Sequence, residues 1–305
     1  MTKKFKAKQK PSVAVIGAGR LGQALAIALQ SCEYSIVALV ARHRRKAEQA
    51  ATVLGKNGSR PRALAASQLA ELPASDLILI ATPDDAIAQT AQRLSKSLDS
   101  KNRTTVLHTS GALSSEALNS LRAVGFETGS IHPLVSISEP TAGAEALRGA
   151  FYCLEGTRKA KAIAASLVRD LGGNSFTIKP ENKALYHAAA VMASPHLVSL
   201  FDLATEMLAA CGLSRRKSQQ VLAPLLESTV NNLKTSNTER ALTGTFARGD
   251  VATVRRHLEA LAGKELAEAL AVYKLLGLHS LKLAEKNELD SRLSKQIRKI
   301  VKSEK

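Results

Sequence analysis

The sequence predicts a doubly wound α/β domain with a parallel sheet, followed by an all-helical domain. Three observations lead to this fold class. Short apolar runs alternate with helical patterns from residue 12 to about residue 179, a glycine-rich turn joins the first run to the first helix, and only helical patterns follow residue 180. Strands that alternate with helices pair in parallel through right-handed crossovers. The 305 residues are enough for two domains, each with its own core.

The predicted strands are apolar or β-branched runs bounded by glycine, proline or polar residues. They are SVAVI at 12–16, SIVALV at 35–40, LILIA at 77–81, TTVLHTS at 104–110, a run at 126–131, FYCLEG at 151–156 and NSFTIK at 174–179. Pro195 and Pro224 lie in helical patterns and are expected to kink or break them. We expect a basic arm at 1–10, the α/β domain at 11–178, and the helical domain with a basic tail at 179–305.

The composition indicates a globular protein with 45% hydrophobic and 23% charged residues. No apolar run looks long enough to cross a bilayer, and no secretion signal precedes the glycine turn, so we expect a cytoplasmic protein that does not enter a membrane. The three cysteines are too widely spaced for a disulfide framework or a zinc site, so no metal is expected.

The formal net charge of +17 is concentrated partly at the two ends of the chain. Five lysines lie in the first ten residues, and the closing segment SRLSKQIRKIVKSEK carries six more basic residues. A series of alternating basic and aromatic residues, which would suit stacking on bases, is absent. The ends are therefore expected to be solvated extensions, with nucleic-acid contact as the less favoured interpretation.

The turn after the first strand reads Gly17-Ala18-Gly19-Arg20-Leu21-Gly22, the pattern G-x-G-x-x-G. Gly17 permits a tight turn, Gly19 lets the backbone approach a pyrophosphate, and Gly22 allows close helix packing. The helix N-terminus supplies amide donors, from Arg20 and Leu21 among others, to the anion. This is the dinucleotide-binding fingerprint of the Rossmann fold, and a turn that has lost its ligand is the alternative.

The second strand ends in Ala41-Arg42-His43-Arg44-Arg45, without the carboxylate that binds the ribose hydroxyl of NAD. A guanidinium matches phosphate oxygens, so Arg42, assisted by Arg44 or Arg45, is expected to bind the 2′-phosphate of NADP. The alternative is the start of an ordinary charged helix.

Ligands of open α/β sheets lie off the carboxyl ends of the strands. The residues expected to border the nicotinamide and the reacting atoms follow two of these ends: Thr82, Pro83 and Asp84, and then His108, Thr109, Ser110 and Gly111. Helix capping by Asp84 or Ser110 is an equally good account.

The helical domain offers candidates for proton transfer and substrate binding. Lys183, His187 and Ser194 fall on one helical stripe, with small alanines between them. We expect Lys183 or His187 to give a proton to the substrate, although the lysine could simply open the helix and the histidine could be a packing residue. His132 is expected to bind substrate or cap a carbonyl, and Arg248 to bind a substrate carboxylate.

Asp250, in the turn that follows Arg248, is a plausible N-cap of the next helix. A capping side chain there would accept a hydrogen bond from an amide of the first helical turn.

Six motifs together resemble one family. They are GAGRLG, IATPDDAI, HTSGAL, IHPLVS, KALYHAAAVMAS and LTGTFARGDVATVRRHLEAL, which span roughly residues 12–280. They resemble the Rossmann-like proteins that carry the helical domain DUF2520, a family that looks related to 6-phosphogluconate, β-hydroxyacid, ketopantoate and pyrroline-5-carboxylate enzymes. Thr245 departs from the proline expected in its turn. The resemblance implies an NADP oxidoreductase, and Lys183 with His187 resembles the Lys and Asn pair of β-hydroxyacid dehydrogenases.

The expected activity is hydride transfer from NADPH to a small 2-oxo acid similar to ketopantoate. Two alternatives stay open: reduction of an imine, as in pyrroline-5-carboxylate reductase, and a non-catalytic NADP-binding sensor or scaffold. By analogy with related helical domains we expect a homodimer, formed through the stretches LVSLFDLATEML and LAEALAVYKLLGL.

Overall fold

The computed structural model describes residues 10–55, 60–98 and 104–303. The chain forms two compact units, Met1–Ser194 and Pro195–Lys305. Nine of the ten residues of the predicted basic arm lie outside the described residues. The helix Lys183–Ala193 precedes the division between the units and so is grouped with the sheet.

The first unit is built on an eight-stranded sheet with the order β3-β2-β1-β4-β5-β6-β7-β8. Neighbouring strands pair in parallel except β6 and β7, which are antiparallel. The predicted α/β fold class is confirmed. The strands are β1 Ser12–Ile16, β2 Ser35–Ala41, β3 Arg62–Ala65, β4 Leu77–Ile80, β5 Thr105–His108, β6 Glu127–Pro133, β7 Phe151–Gly156 and β8 Asn174–Thr177.

Helices cover both faces of this sheet, so its central strands are apolar on both sides. On β1, Val13 and Val15 enter one core cluster, whereas Ala14 and Ile16 enter the cluster on the opposite face. This alternation follows from the two-residue period of a strand. The helices of the unit are α1 Arg20–Ser31, α2 Arg44–Gly55, α3 Asp84–Ser97, α4 Asn119–Ala123, α5 Pro140–Ala146, α6 Arg158–Asp170 and α7 Lys183–Ala193.

Two features of the sheet were not predicted. The edge strand β3 reads RALA, which has no β-branched residue and too little alternation to be recognised. The antiparallel entry of β7 is the second feature. The chain returns beside the end of β6 instead of crossing back to its start, since Leu134, the residue after β6, donates its amide to the Phe151 carbonyl at 2.9 Å.

The secondary structure of the second unit, in its described residues, is helical. They are α8 Pro195–Ala210, α9 Arg215–Thr235, α10 Thr238–Ala241, α11 Thr245–Arg248, α12 Val251–Leu261, α13 Ala267–Lys286 and α14 Ser291–Lys302. A small core of Val254, Leu281, Ile297 and Val301 joins α12, α13 and α14.

The basic C-terminal segment is a packed helix, and its expected role as a solvated extension was wrong for residues 291–302. Ile297 and Val301 of α14 are buried at helical spacing, and the Arg298 guanidinium pairs with Glu285 at 2.6 Å. The helix α14 is amphipathic: its basic residues lie on the face opposite Ile297 and Val301. A count of charges therefore does not indicate the buried apolar face.

The two helical prolines behave differently. Ser194, at φ −129° and ψ −77°, ends α7, and Pro195 is the first residue of α8. Proline is well tolerated at this position because the first amides of a helix have no partner within it. In contrast, α9 continues through Pro224 without a break.

One stretch of the described residues, Pro180–Ala210, is long and apolar enough by composition to cross a bilayer, and its most apolar 18-residue segment has a mean hydropathy of 1.3. No stretch of this kind was expected from the sequence. The non-helical torsion of Ser194 divides it into α7 and α8, so it is not one continuous helix. Only 6% of its most apolar window is buried, which leaves much of its apolar surface uncovered within the chain.

Candidate functional site

Two glycines of the turn between β1 and α1 are required by packing. Gly17 has a φ of +108°, and a Cβ there would lie 2.4 Å from the carbonyl oxygen of Ala81. A Cβ on Gly22 would lie 2.0 Å from the carbonyl oxygen of Gly17. A side chain at either position would collide with backbone, so these glycines hold the turn directly against the end of β4.

Gly19 is not required by the protein in this way. Its φ of −78° and ψ of −171° suit any residue, and a Cβ there would meet nothing within 4 Å. Gly19 is the N-cap of α1, where no side chain caps the helix and no acidic residue occupies the first turn. The amides of Arg20 and Leu21 therefore face open space at the positive end of a helix, which suits an approaching phosphate.

The end of β2 presents an exposed basic cluster to solvent. Arg44 pairs with Glu48 at 3.0 Å, one turn further along α2. Arg42 and Arg45 are exposed and form no ion pair with any described residue. Of the three guanidinium groups, these two keep their full capacity to bind an anion.

Thr82, just after β4, has a hydroxyl that would suit a bound ligand. The buried Thr82 Oγ1 has no hydrogen-bond partner among the described residues, an unusual state for a buried hydroxyl. Pro83 is the N-cap of α3, and Asp84 in its first turn accepts a 2.9 Å hydrogen bond from Ser110 Oγ. Asp84 thus ties the end of β4 to the loop after β5 rather than capping a helix with its side chain.

Ser110 organises the loop after β5. Its hydroxyl accepts hydrogen bonds from the amides of Ala112 and Leu113 at 3.2 and 3.0 Å. The completely buried His108 accepts a bond from the Ser110 amide at Nδ1, so its Nε2 donates to the Ser114 carbonyl at 3.1 Å. Burial lowers the pKa of His108 to about 4. Both ring nitrogens are used inside the loop, and His108 is a structural residue.

Lys183 is buried below this loop, with 1% of its surface exposed. Its ammonium donates to the Ser110 carbonyl at 3.1 Å and to Ser130 Oγ at 3.3 Å. Burial lowers the pKa of Lys183, and no carboxylate pairs with it among the described residues. The lysine therefore links the first turn of α7 to the loop after β5 and to the middle of β6.

Two histidines meet above Gly111. The His132 and His187 rings lie 5.5 Å apart at 83°, and a Cβ on Gly111 would lie 2.4 Å from His187 Nδ1 and 2.8 Å from His132 Nε2. His132 Nδ1 also lies 2.7 Å from the Tyr186 hydroxyl. Burial lowers the pKa of His132 to about 4, and Lys183 and His187 act in the same direction. The structure brings four predicted residues together here: Ser110, His132, Lys183 and His187.

Tyr186 is a site residue that the sequence analysis missed. It lies three residues after Lys183 and one before His187, so its position on the same part of the helix was a usable signal. Its hydroxyl became significant only when the structure placed it against His132.

Two predicted substrate-binding residues belong to other elements than those that carry this cluster. Ser194 lies just beyond the end of α7, so the helical stripe that placed it beside Lys183 ends before it. Arg248 belongs to the second unit, where its guanidinium donates to Asp250 at 2.7 and 3.0 Å. Asp250 occupies the N-cap position of α12, but its side chain makes no capping bond, contrary to the predicted role. The role of Arg248 in substrate binding stays a prediction.

Metal ligands are not grouped in the part of the chain that the structure describes: no cluster of three or more His, Cys, Asp or Glu side chains has suitable geometry.

Comparisons with known proteins agree with this architecture. A model of the Rossmann-like domain matches residues 3–133, and a model of the domain of unknown function DUF2520 matches residues 150–280. The predicted resemblance is confirmed in the same order along the chain. No curated protein matches the sequence significantly.

Three solved structures illustrate the similarity. A protein from Thermotoga maritima has a TM-score of 0.69 at 25% identity, over 91% of this chain and 100% of its own. A candidate NADP oxidoreductase from Bacteroides fragilis has a TM-score of 0.72 at 20% identity, over 90% and 99%. A Plasmodium falciparum pyrroline carboxylate reductase with NADP bound has a TM-score of 0.55 at 13% identity, over 97% and 100%. The last two show a shared fold.

The buried His108 and the half-buried His132 should make the stability of the fold decrease as the pH falls. The pKa of His108 and of His132 is lowered to about 4 in the folded chain, whereas an unfolded histidine takes up a proton near pH 6.5. Their contribution is complete above about pH 6.5 and is lost as the pH falls toward 4, by up to about 1.4 kcal/mol per pH unit for each ring.

Urea unfolding at several pH values between 7.5 and 5 measures this slope. His132→Gln is expected to reduce the slope, and the exposed His279→Gln is expected to leave it unchanged. Equal slopes in the wild type and in His132→Gln would contradict the assignment.

Proposed function

Because the chain joins a Rossmann-like domain to a DUF2520 domain, we propose that it is an NADP-dependent oxidoreductase that reduces a small 2-oxo acid of the ketopantoate type. The observation that carries the proposal is Gly19. Neither its torsion angles nor its neighbours require a glycine, yet it leaves the N-terminus of α1 open to a ligand. A dinucleotide pyrophosphate is the ligand for which this turn is suited.

The turn residues Gly17, Gly19, Arg20, Leu21 and Gly22 would hold the pyrophosphate in this proposal. Arg42 and Arg45 would bind the 2′-phosphate, since both are exposed and unpaired among the described residues. The orphaned hydroxyl of Thr82, with Pro83 and Asp84, would border the nicotinamide. The Plasmodium reductase, which has a similar fold, was solved with NADP bound and supports the choice of cofactor.

NADPH, when bound, would supply the hydride that reduces the substrate carbon. Lys183 or His187 would give the proton that the reduced oxygen requires. Ser110 and His132 lie in the same cluster and would orient the substrate. Ser194 remains a candidate for binding the substrate, and Arg248 for binding its carboxylate.

Imine reduction is the second candidate activity. The fold is shared with pyrroline carboxylate reductases from Plasmodium falciparum and Streptococcus pyogenes, with TM-scores of 0.55 and 0.58. A cyclic imine and a 2-oxo acid both present a polarised carbon that accepts hydride, so one panel of substrates separates them.

The second unit supports a homodimer in this proposal. Large apolar side chains are exposed in both stretches that the sequence analysis selected, namely Val198, Leu200, Leu275 and Leu276. A second copy of the chain would cover them.

Gly19→Ala tests the cofactor site without disturbing the fold. Since nothing lies within 4 Å of the added methyl group, the melting temperature should stay within about 2 °C of the wild type. NADPH affinity, measured by isothermal titration, should fall at least about tenfold because the methyl group occupies the space of the pyrophosphate. Gly263→Ala, which also adds a methyl group to open space, is the matched control. Unchanged affinity in Gly19→Ala would reject this site.

Arg42→Ala tests the choice between the two coenzymes. Removing a guanidinium from a phosphate should weaken NADPH binding by about 1.5–3 kcal/mol, or roughly ten- to a hundredfold, and change NADH binding little. Arg44→Ala is the control, because Arg44 already pairs with Glu48. Equal losses for NADPH and NADH would remove Arg42 from the 2′-phosphate site.

A substrate screen tests the activity itself. NADPH absorbance is followed with 2-oxo acids and with cyclic imines, and at least one compound of these classes should be reduced with steady turnover. His187→Ala should then lower kcat at least about a hundredfold, while the exposed His196→Ala should not. Stoichiometric NADPH binding without turnover over the whole panel would favour a cofactor-binding sensor or scaffold instead.

A further inference from the structure

We propose that Tyr186 and His132 are positioning residues that hold His187 in a single tautomer, with its hydrogen on Nε2 and none on Nδ1. The inference rests on the proposed function, in which His187 acts on the substrate. His187 would then donate the hydrogen bond of its Nε2–H to the substrate oxygen, and the proton itself would come from Lys183 or water.

Tyr186 and His132 are joined by a hydrogen bond. The Tyr186 hydroxyl lies 2.7 Å from His132 Nδ1, and burial raises the pKa of Tyr186, so the hydroxyl keeps its hydrogen. The other neighbour of this hydroxyl is the Cys153 thiol, which is a weak acceptor. Tyr186 therefore donates to Nδ1 of His132.

This hydrogen bond determines which ring nitrogen of His132 carries the hydrogen. Burial lowers the pKa of His132 to about 4, so at neutral pH the ring carries one hydrogen. Because Nδ1 accepts from Tyr186, this hydrogen is on Nε2. The Nε2 edge faces the position above Gly111, 2.8 Å from where a Cβ would be.

His187 faces the same position above Gly111. Its Nδ1 is buried without a hydrogen-bond partner among the described residues, and it lies 2.4 Å from the same Cβ position above Gly111. The Nδ1 atom and the N–H of His132 thus converge on one point. A hydrogen on His187 Nδ1 would be a buried, unsatisfied donor facing another donor, at a cost of about 1–3 kcal/mol. The favourable arrangement leaves Nδ1 bare and puts the hydrogen on Nε2.

The ammonium of Lys183 favours a neutral His132. It lies 5.7 Å from the centre of the Tyr186 ring, and it lowers the pKa of His132. A positive charge on the His132 ring would be repelled by it. A neutral imidazole that donates to a carbonyl oxygen is an established way to polarise that carbonyl.

Nitrogen NMR of the full chain labelled with ¹⁵N-histidine tests the inference directly. Long-range ¹H–¹⁵N correlations at pH 7.5 report which nitrogen of each ring carries the hydrogen, and single His→Gln variants assign the signals. His132 and His187 should both show the Nε2–H form. A wild-type spectrum with the hydrogen on Nδ1 of either ring would overturn the proposal.

Tyr186→Phe removes the hydroxyl and keeps an aromatic ring beside Phe176, 5.9 Å away in the wild type. The signals of both His132 and His187 should move toward a mixture of tautomers. Tyr273→Phe is the matched control, because it removes a similar 2.8 Å hydrogen bond to His257 Nδ1 in the other unit. It should change the signals of His257 alone. Unchanged tautomers in a folded Tyr186→Phe protein would also overturn the proposal.

The spectra need no turnover, so this proposal and the proposed function fail separately. If a substrate is reduced, Tyr186→Phe should lower kcat at least about tenfold with little change in KM, because a misplaced hydrogen weakens donation in the transition state. An unchanged kcat would contradict the role assigned to His187 even if the tautomers are correct.

Discussion

The close contact between the glycine turn and the end of β4 is the constraint on which the candidate site depends. Gly17 and Gly22 carry no side chain because the backbone of Ala81 and of the turn itself fills the space. This contact sets the N-terminus of α1 beside the carboxyl ends of β2 and β4, where the parallel strands leave a crevice. Gly17 and Gly22 make the close backbone contacts of the turn, so the space beside Gly19 is left open.

Ser110 is the residue through which several elements of the first unit are joined. The exposed Asp84 accepts a hydrogen bond from its hydroxyl, and the buried Lys183 donates to its carbonyl oxygen. Lys183 also donates to Ser130 in the middle of β6, so the segments after β4 and β5 and the strand β6 are joined to α7. A buried ammonium is tolerated only when its hydrogen-bond partners are in place. A catalytic or binding site requires groups that are held in position in this way.

Much of the first unit could be predicted from the sequence, because strand periodicity and the glycine spacing are local signals. The turn from Gly17 to Gly22 and the apolar strand β4 are examples. The antiparallel β7 could not be predicted, since the pairing of Leu134 with Phe151 joins two residues that no local periodicity relates. The packed helix α14 was overlooked because its basic residues outweigh a stripe of only a few apolar ones.

The sequence predicted which residues belong to the candidate site better than it predicted the role of each residue. Lys183 and His187 were selected by their helical spacing, but spacing does not reveal that Lys183 is 1% exposed or that the Tyr186 hydroxyl lies 2.7 Å from His132 Nδ1. Such facts depend on contacts between α7 and distant strands. Asp250 shows the opposite limit: its position as N-cap was correct, yet its carboxylate bonds to Arg248 instead of to the helix.

A crystal structure of the chain with NADP⁺ is the most direct measurement of the central claim. The account predicts a pyrophosphate within hydrogen-bond distance of the amides of Arg20 and Leu21, and a 2′-phosphate in contact with the guanidinium of Arg42. A dinucleotide bound elsewhere, or an empty glycine turn at a saturating concentration of NADP⁺, would contradict it.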